Sequence, residues 1–520
     1  MLPSLWPTSP PCIPIYGAPL KYWPHSGEGL FHKRGRLWPL ERLEAAPNGS
    51  WSVTWCPAAR APGSVSDWQG AVHVRRLRNC MRRGGTEDLP SDSPWTRARM
   101  ASEFAGGDDL WAELTGPVEL LRLVGVPAGS GSGEAGDSGE SGCTHLRFPV
   151  RVSTAGDYAL SLVLLYERYA ALDERISEAP RGVLQDLLGG GARIRIGDGS
   201  GPQRSNGSAL YAAARRLLRR GSGVPACGAG VPEPGRWVAQ RGWLQPPSWP
   251  RSGWPVPKRL PPRALQWAPY DCRPPRFSVE AGRACLRGRY VMLSGDSHTR
   301  TLFNALLRRF GGSSGSAAKK DLLTSQCRTP PALPGARLCY KSDRFGREAE
   351  GELQELLRAQ RERARAGGPL PVLIFGFGQH PASGRRAGHF TLERYAQDVR
   401  ERVGAAAARL GGAQPEAILL WMSPQELNPA PDKFKAYSAD WRTPSRMQLF
   451  ARVAKEEVAA IAARYPRVQL RQVDALNVSL ALDTAAEDGA HIALEGFQDA
   501  LADKLLSLIC GGGSGEGGRE

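Results

Sequence analysis

The chain has 520 residues and a mass of 56.3 kDa, more than one ordinary domain holds and enough for about two to four. Its hydrophobic fraction of 41% and charged fraction of 23% allow a packed core and exclude wholesale disorder. A mean hydropathy of -0.36, with no run near the ~18 to 20 apolar residues of a membrane helix, excludes a polytopic membrane protein. The net charge of +17 raises an anionic partner, but the positive residues are mostly arginines dispersed along the chain, as at Arg215, Arg358 and Arg446. There is no zinc-finger spacing or RNA-binding signature, and no nucleic-acid partner is expected.

Residues 1–105 are rich in Trp, Pro and Arg and hold no sustained period. Their opening, MLPSLWPTSPPCIPIYGAPL, lacks a basic start followed by an apolar block and is not a usable signal peptide. The expectation is an irregular extension, with short aromatic strands as the alternative. Any membrane association would need a segment this chain does not show.

Residues 106–190 read as β-rich. In HLRFPVRVSTAGDYALSLVLLYE (145–167), Leu146, Phe148, Val150 and Val152 share one face, and Tyr158, Leu160, Leu162 and Leu164 alternate again after a turn at Thr154–Asp157. The pattern predicts a hairpin inside a β-sandwich. The stretch GSGSGEAGDSGESG before it is a low-complexity loop. Residues 191–285 are Pro/Gly-rich. The segment RGWLQPPSWPRSGWPVPKRLPP sustains neither a helix nor a central strand, and reads as a connector anchored by Trp243, Trp249 and Trp254.

From 286 to 510 the texture changes. Apolar runs at 289–297, 371–380, 417–424 and 468–476 alternate with helical patterns at 301–310, 352–366, 391–410 and 444–465, and a helix over 492–510 closes the series. Leu392, Val399, Val403 and Leu410 share one helical stripe, as do Phe497, Leu501, Leu505 and Ile509, and Thr443 before Pro444 is a helix-cap signal. Strand–helix alternation predicts a three-layer α/β domain with a mostly parallel sheet, whose chemistry sits at the carboxyl ends of its strands. Residues 511–520 form a Gly-rich flexible tail.

The first apolar run ends in Gly295-Asp296-Ser297-His298-Thr299-Arg300 and passes straight into a helix. Gly295 permits a tight turn, and Ser297 sits where free N–H groups and the helix dipole favour negative charge. The same serine would serve equally as a helix cap. Asp488-Gly489-Ala490-His491 stands just before the closing helix, a spacing that lets a carboxylate orient an imidazole, or lets Asp488 cap that helix with His491 in its first turn. His298, His380, His389 and His491 raise a metal site as a further alternative. No two of them stand at i, i+4 on a helix and no carboxylate lies in ligand spacing with them, and no metal or other cofactor is expected.

The cysteines Cys12, Cys56, Cys80, Cys143, Cys227, Cys272, Cys285, Cys327, Cys339 and Cys510 form no C-x-x-C pair. An even, dispersed set fits disulfides in an oxidising compartment, with buried thiols as the alternative. Cys272 with Cys285, and Cys327 with Cys339, are candidate local bridges. Asn48, Asn206 and Asn477 head Asn-x-Ser triplets and are candidate glycosylation sites.

A GDS block after the first strand with D-x-x-H before the last helix resembles the SGNH (GDSL-like) hydrolase superfamily. With Gly235-Arg236-Trp237, Trp267-Ala268-Pro269-Tyr270-Asp271-Cys272 and AGRACLRGRYVMLSGDSHTR (281–300), the chain resembles PC-esterase domains, those of the neurexophilin and PC-esterase domain proteins above all. The plant trichome-birefringence-like polysaccharide O-acetyltransferases are more distantly similar.

The resemblance implies an Ig-like or filamin-like sandwich ahead of the catalytic domain, and a secretory-pathway (Golgi lumen) or extracellular location. It implies Ser297 as nucleophile, His491 as general base and then acid, and Asp488 as the group that orients His491. Gly295, Gly378, Gln379, His380 and Arg300 are the oxyanion or substrate-binding candidates, Gln379 offering an amide where the superfamily has Asn, and Arg300 either holding an acidic or acyl group or pairing with a structural carboxylate. The implied activity is esterase or transferase chemistry on an acyl group of a glycan or polysaccharide, O-acetyl first, from an acyl donor the sequence does not identify. The alternative is a catalytically silent binding module that uses the esterase-like domain as a scaffold.

Overall fold

The structure, a computed structural model, describes residues 13–14, 51–58, 67–77, 89–104, 107–128, 144–174, 185–188, 192–196, 207–218, 225–228, 234–239, 264–274, 276–312, 326–347, 349–364, 368–383, 391–410, 417–427, 442–485, 490–492 and 494–510. The chain divides into two compact units, one of residues 1–219, 237–258 and 429–439, the other of 220–236, 259–428 and 440–520.

The first unit contains, in chain order, β1 (Ile13–Pro14), β2 (Trp51–Pro57), β3 (Trp68–Arg76), α1 (Pro94–Glu103), β4 (Asp109–Thr115), β5 (Glu119–Leu123), β6 (Val126–Pro127), β7 (His145–Val152), β8 (Gly156–Tyr166), β9 (Gln185–Asp186), β10 (Ala192–Ile196) and α2 (Gly207–Leu218). It also holds the last three residues of β11 (Gly235–Ala239). One sheet has the order β1-β2-β3-β7-β6; another runs β10-β8-β4-β5-β11, with β9 on β8. β2 and β3 come from the stretch expected to be an irregular extension, and β3 pairs with β7 along its length from Trp68–Val152 to Arg75–His145.

The expected hairpin over 145–167 is not one. β7 and β8 alternate as predicted, but β7 pairs with β3 and β6 while β8 pairs with β4, β9 and β10. The turn between them carries the chain from one sheet to the other. Buried Glu119 holds that crossing by accepting from the Ser153 backbone N–H at 3.1 Å, and the Tyr158 hydroxyl donates to the Thr154 carbonyl at 2.6 Å. Two-residue periodicity reports which face is buried and says nothing about which strand lies alongside.

The second unit contains β12 (Leu265–Pro269), α3 (Val279–Leu286), β13 (Tyr290–Gly295), α4 (Ser297–Arg309), β14 (Gln326–Arg328), β15 (Arg337–Ser342), α5 (Ala349–Ala364), β16 (Val372–Gly376), α6 (Gln379–Ser383), α7 (Leu392–Leu410), β17 (Ile418–Met422), α8 (Pro444–Arg464), β18 (Gln469–Val473), α9 (Ala475–Ser479) and α10 (Glu495–Cys510). The connector expected over 191–285 therefore contains regular elements, β10, α2, β11, β12 and α3. Its Trp243, Trp249 and Trp254 lie outside the described residues.

Six strands form one sheet in the order β14-β15-β13-β16-β17-β18, all parallel except the edge strand β14. Counted along the chain, the parallel strands stand in the order 2-1-3-4-5, so the winding direction reverses between β13 and β16. That switch point is where a crevice opens beyond the strand ends. β13, β16 and β17 are buried at every residue, which requires cover on both faces and explains why they read as unbroken apolar runs. The cover comes from two helical groups, α3, α4 and α10 in one and α5, α7 and α8 in the other. The stripes at Leu392, Val399, Val403 and Leu410 and at Phe497, Leu501, Leu505 and Ile509 are buried, and Thr443 caps α8 by accepting from Arg446 N–H at 3.2 Å.

Three disulfides lie in this unit: Cys227–Cys272, Cys285–Cys510 and Cys327–Cys339. The expected Cys272–Cys285 bridge is replaced, because α3 carries Cys285 to the end of α10 while Cys272 follows β12. Such bridges are compatible with folding in an oxidising compartment. Among the described residues no helix is long and apolar enough to cross a membrane.

Candidate active site

β13 delivers the GDS block to the switch point. Gly295 lies beside Gly376 in the parallel register, and a Cβ on Gly295 would stand 2.1 Å from the Gly376 carbonyl oxygen. The glycine is needed for this close approach of two strands, a reason different from the tight turn expected at that position. Thr299 completes the junction, its hydroxyl donating to the Gly376 carbonyl at 3.1 Å.

The cap of α4 is Asp296, whose Oδ1 accepts from the His298 backbone N–H at 2.9 Å. Ser297 is the first helical residue, so its hydroxyl is not engaged as a cap. That hydroxyl instead accepts a hydrogen bond from Gln379 Nε2 at 3.0 Å. Gln379 opens α6, just beyond the carboxyl end of β16, and is buried. Two residues 82 apart in sequence thus meet at the switch point.

The surroundings of Ser297 are rich in cationic and titratable groups. Burial raises the Asp296 carboxyl from its ordinary 3.8 to about 6, opposed by hydrogen bonds from His298 N–H and the Gln379 side chain. Burial pushes His298 well below the usual imidazole range, and the Arg442 charge pushes the same way. His298 is therefore neutral near pH 7, and its contact with the Ala490 carbonyl at 2.8 Å requires the proton on Nε2. The His298 and His491 rings meet edge to face with centroids 5.6 Å apart. The chain near residue 491 is thereby held against the start of α4.

Each remaining expected site residue has a definite place. His491 is half-buried and precedes α10, which begins at Glu495, so it is not in that helix's first turn. Gly378 is buried, and a Cβ there would stand 2.8 Å from the Tyr395 hydroxyl, which donates to the Phe377 carbonyl. His380 lies in α6 with its ring 6.0 Å from that of Phe345. Arg300 is half-buried in α4, and its charge acts on the buried Tyr340 phenol, which donates at 3.2 Å to the carbonyls of Gly295 and Asp296. Asp488, His389, Asn48 and Asn206 lie outside the described residues. Asn477 lies in α9 with its amide on Asp474 at 2.6 Å, and the serine of its triplet, Ser479, is buried with its hydroxyl bonded to Glu426 N–H and the Leu476 carbonyl.

Sequence reasoning missed Arg442, whose Nη1 donates to Gln379 Oε1 at 3.1 Å. Its one signal was position, immediately before the Thr443-Pro444 cap on the connection that leaves the carboxyl end of β17. Among the described residues no group of three or more His, Cys, Asp or Glu side chains is arranged to hold a metal ion.

No protein-family model and no curated protein matches the chain. Among solved structures it is similar to LAE5, an α/β hydrolase enzyme from the metagenome of Lake Arreo, Spain, at 16% identity and a TM-score of 0.25, over 43% of this chain and 96% of that one. It is also similar to Axe2, an acetylxylan esterase from Geobacillus stearothermophilus, at 16% identity and a TM-score of 0.23, over 43% of this chain and 94% of that one. The enterobactin esterase FES from Shigella flexneri matches at 12% identity and a TM-score of 0.16, over 86% of this chain and 96% of that one. All three are hydrolases.

Proposed function

We propose that the second unit is a serine-dependent acyl esterase or acyltransferase that acts on an ester, O-acetyl first, carried by a glycan. The observation that carries this reading is the Ser297 hydroxyl at the switch point, released from capping by Asp296 and accepting from the Gln379 amide at 3.0 Å. A hydroxyl that accepts one hydrogen bond still has its own proton to give, and a general base must take it.

In this reading His491 accepts that proton as Ser297 attacks the ester carbon, and Asp488 orients the ring. The carbonyl oxygen becomes an oxyanion, stabilised by the Ser297 backbone N–H at the start of α4 and by Gln379 Nε2. Collapse expels the sugar oxygen, protonated by His491, and leaves an acyl-serine. Water or a second sugar hydroxyl then takes the acyl group by the same steps in reverse order. The glycan and the secretory-pathway or Golgi setting rest on the resemblance to PC-esterase domains over residues 235–300, and the disulfides favour the setting. No cofactor enters any step.

The test is hydrolysis of p-nitrophenyl acetate by the full chain, with fluorophosphonate labelling in parallel. Ser297→Ala should lower kcat/KM about a thousandfold or more and abolish labelling. A wild-type protein that is no faster than Ser297→Ala and takes no label would instead be the silent binding module.

A further inference from the structure

We propose that Arg442 is a positioning residue for the reaction: it fixes the end of the Gln379 amide that faces Ser297. This rests on the serine chemistry proposed above and extends it to a residue outside every motif in the chain.

A glutamine amide has two ends of nearly equal size and opposite hydrogen-bonding character, one accepting and one donating. Buried Gln379 could in principle turn either end to Ser297. Only the donating end can stabilise an oxyanion attached to the same carbon as Ser297 Oγ; the accepting end would repel it. Arg442 removes the choice. A guanidinium has donors and no acceptor, so the oxygen of the amide must face it, as it does at 3.1 Å. Nε2 is then left to Ser297 Oγ at 3.0 Å and to the Asp296 carboxyl. The amide is held from both sides, by a cation on its oxygen and a carboxyl on its nitrogen. A charge-assisted bond on the oxygen also polarises the amide and strengthens its N–H donors.

The start of α8 makes this grip rigid. Arg442 directly precedes the Thr443 cap, which bonds Arg446 N–H at 3.2 Å. One turn on, buried Arg446 donates from Nε to the Ala382 carbonyl at 2.8 Å and lies over the Phe450 ring at 4.8 Å. The same helix terminus therefore holds α6 twice, once by the Gln379 side chain and once by the α6 backbone. This registers the amide to the helix as well as choosing its face.

The experiment measures kcat and KM on p-nitrophenyl acetate for the full chain and for Ser297→Ala, Gln379→Ala, Arg442→Met, Arg442→Lys, the double variant Gln379→Ala with Arg442→Met, and Thr443→Ala. Gln379→Ala should lower kcat about a hundredfold. Arg442→Met should lower kcat about tenfold or more with KM little changed, and Arg442→Lys, which keeps a cationic donor, should recover most of it. The double variant should be no slower than Gln379→Ala alone, because Arg442 acts only through that amide. Thr443→Ala loosens the same helix start but keeps the guanidinium and the Arg446 bond to the Ala382 carbonyl, so it should lower kcat less than Arg442→Met does.

The proposal is overturned if the two single losses multiply in the double variant, if Arg442→Met changes only KM, if Arg442→Lys is as slow as Arg442→Met, or if Thr443→Ala reproduces the loss. Wild-type activity no higher than Ser297→Ala would sink the serine reading itself. Activity that depends on Ser297 but not on Arg442 would sink only this inference.

Discussion

His298 follows the candidate nucleophile in sequence and reaches residue 490 in space. Its Nε2–H donates to the Ala490 carbonyl across a sequence separation of 192 residues, while its buried Nδ1 has no hydrogen-bond partner among the described residues. The bond to Ala490 ties the residue before His491 to the start of α4. Breaking that tie should loosen the placement of His491 more than the fold. We expect His298→Ala to lower kcat on p-nitrophenyl acetate about tenfold or more, and His298→Gln, which can place a donor at the Nε2 position, to restore most of it. Equal activity of His298→Ala and wild type would remove the latch.

Asp296 makes a separate prediction about stability. Folded, its carboxyl titrates near 6; its ordinary value is 3.8. The folded state therefore binds more protons between those values, and stability falls as pH rises from about 4 to about 6, with the cost complete above that. The gap corresponds to roughly 3 kcal/mol at most. Asp296→Asn keeps an oxygen to cap α4 and has no charge to bury. Its urea midpoint should gain on wild type as pH rises from 4 to 7, and a constant difference across that range would refute the assignment. The groups that act on this carboxyl include His298, His491, Gln379 and the Thr299 N–H, and its charge reaches the Tyr340 and Tyr395 phenols, so the comparison must be made between the two proteins at each pH.

At the scale of elements, the β13–β16 pair depends on two glycines side by side. Gly295→Ala would place a methyl 2.1 Å from the Gly376 carbonyl and 2.5 Å from the Thr299 hydroxyl, and neither belongs to a flexible side-chain end. The strands must part or the Asp296–Ser297 corner must shift. We expect a loss of roughly 2 kcal/mol or more in urea unfolding, with the proposed esterase activity lost as well; a variant as stable as wild type would contradict the close approach. The runs that became β13, β16, β17 and β18, and the helices between them, were legible because buried parallel strands and amphipathic helices leave strong one-dimensional patterns. Ser297, Gln379 and His491 stood out as candidates because they sit at the ends of such runs. The sheet assignment of β7 and β8 was not, since alternation carries no record of the neighbouring strand. Arg442 was not legible either. In a chain with 68 basic residues, one arginine before a helix cap carries no signal until its partner is known.

Over the whole chain, disulfide connectivity is the property that local reading reaches least. Cys327 and Cys339 stand opposite each other in β14 and β15 and are separated by 12 residues, so proximity in sequence sufficed. Cys285 and Cys510 are separated by 225 residues and meet only because α3 packs on α10. This long bridge joins the helix that leads into β13 to the helix that follows His491, and so closes the second unit around its sheet. A cross-link restricts the unfolded chain more as its loop grows, and the loop-entropy account gives roughly 5 kcal/mol for the long bridge against roughly 3 for the short one. Replacing Cys285 and Cys510 together by alanine should therefore lower the urea midpoint further than replacing Cys327 and Cys339 together. Paired replacement leaves no odd thiol in either variant, so the comparison isolates loop length from new disulfide exchange. Equal losses, or a larger loss from the short bridge, would mean that the unfolded chain already keeps α3 near α10, or that the edge hairpin supports more of the sheet than its position suggests.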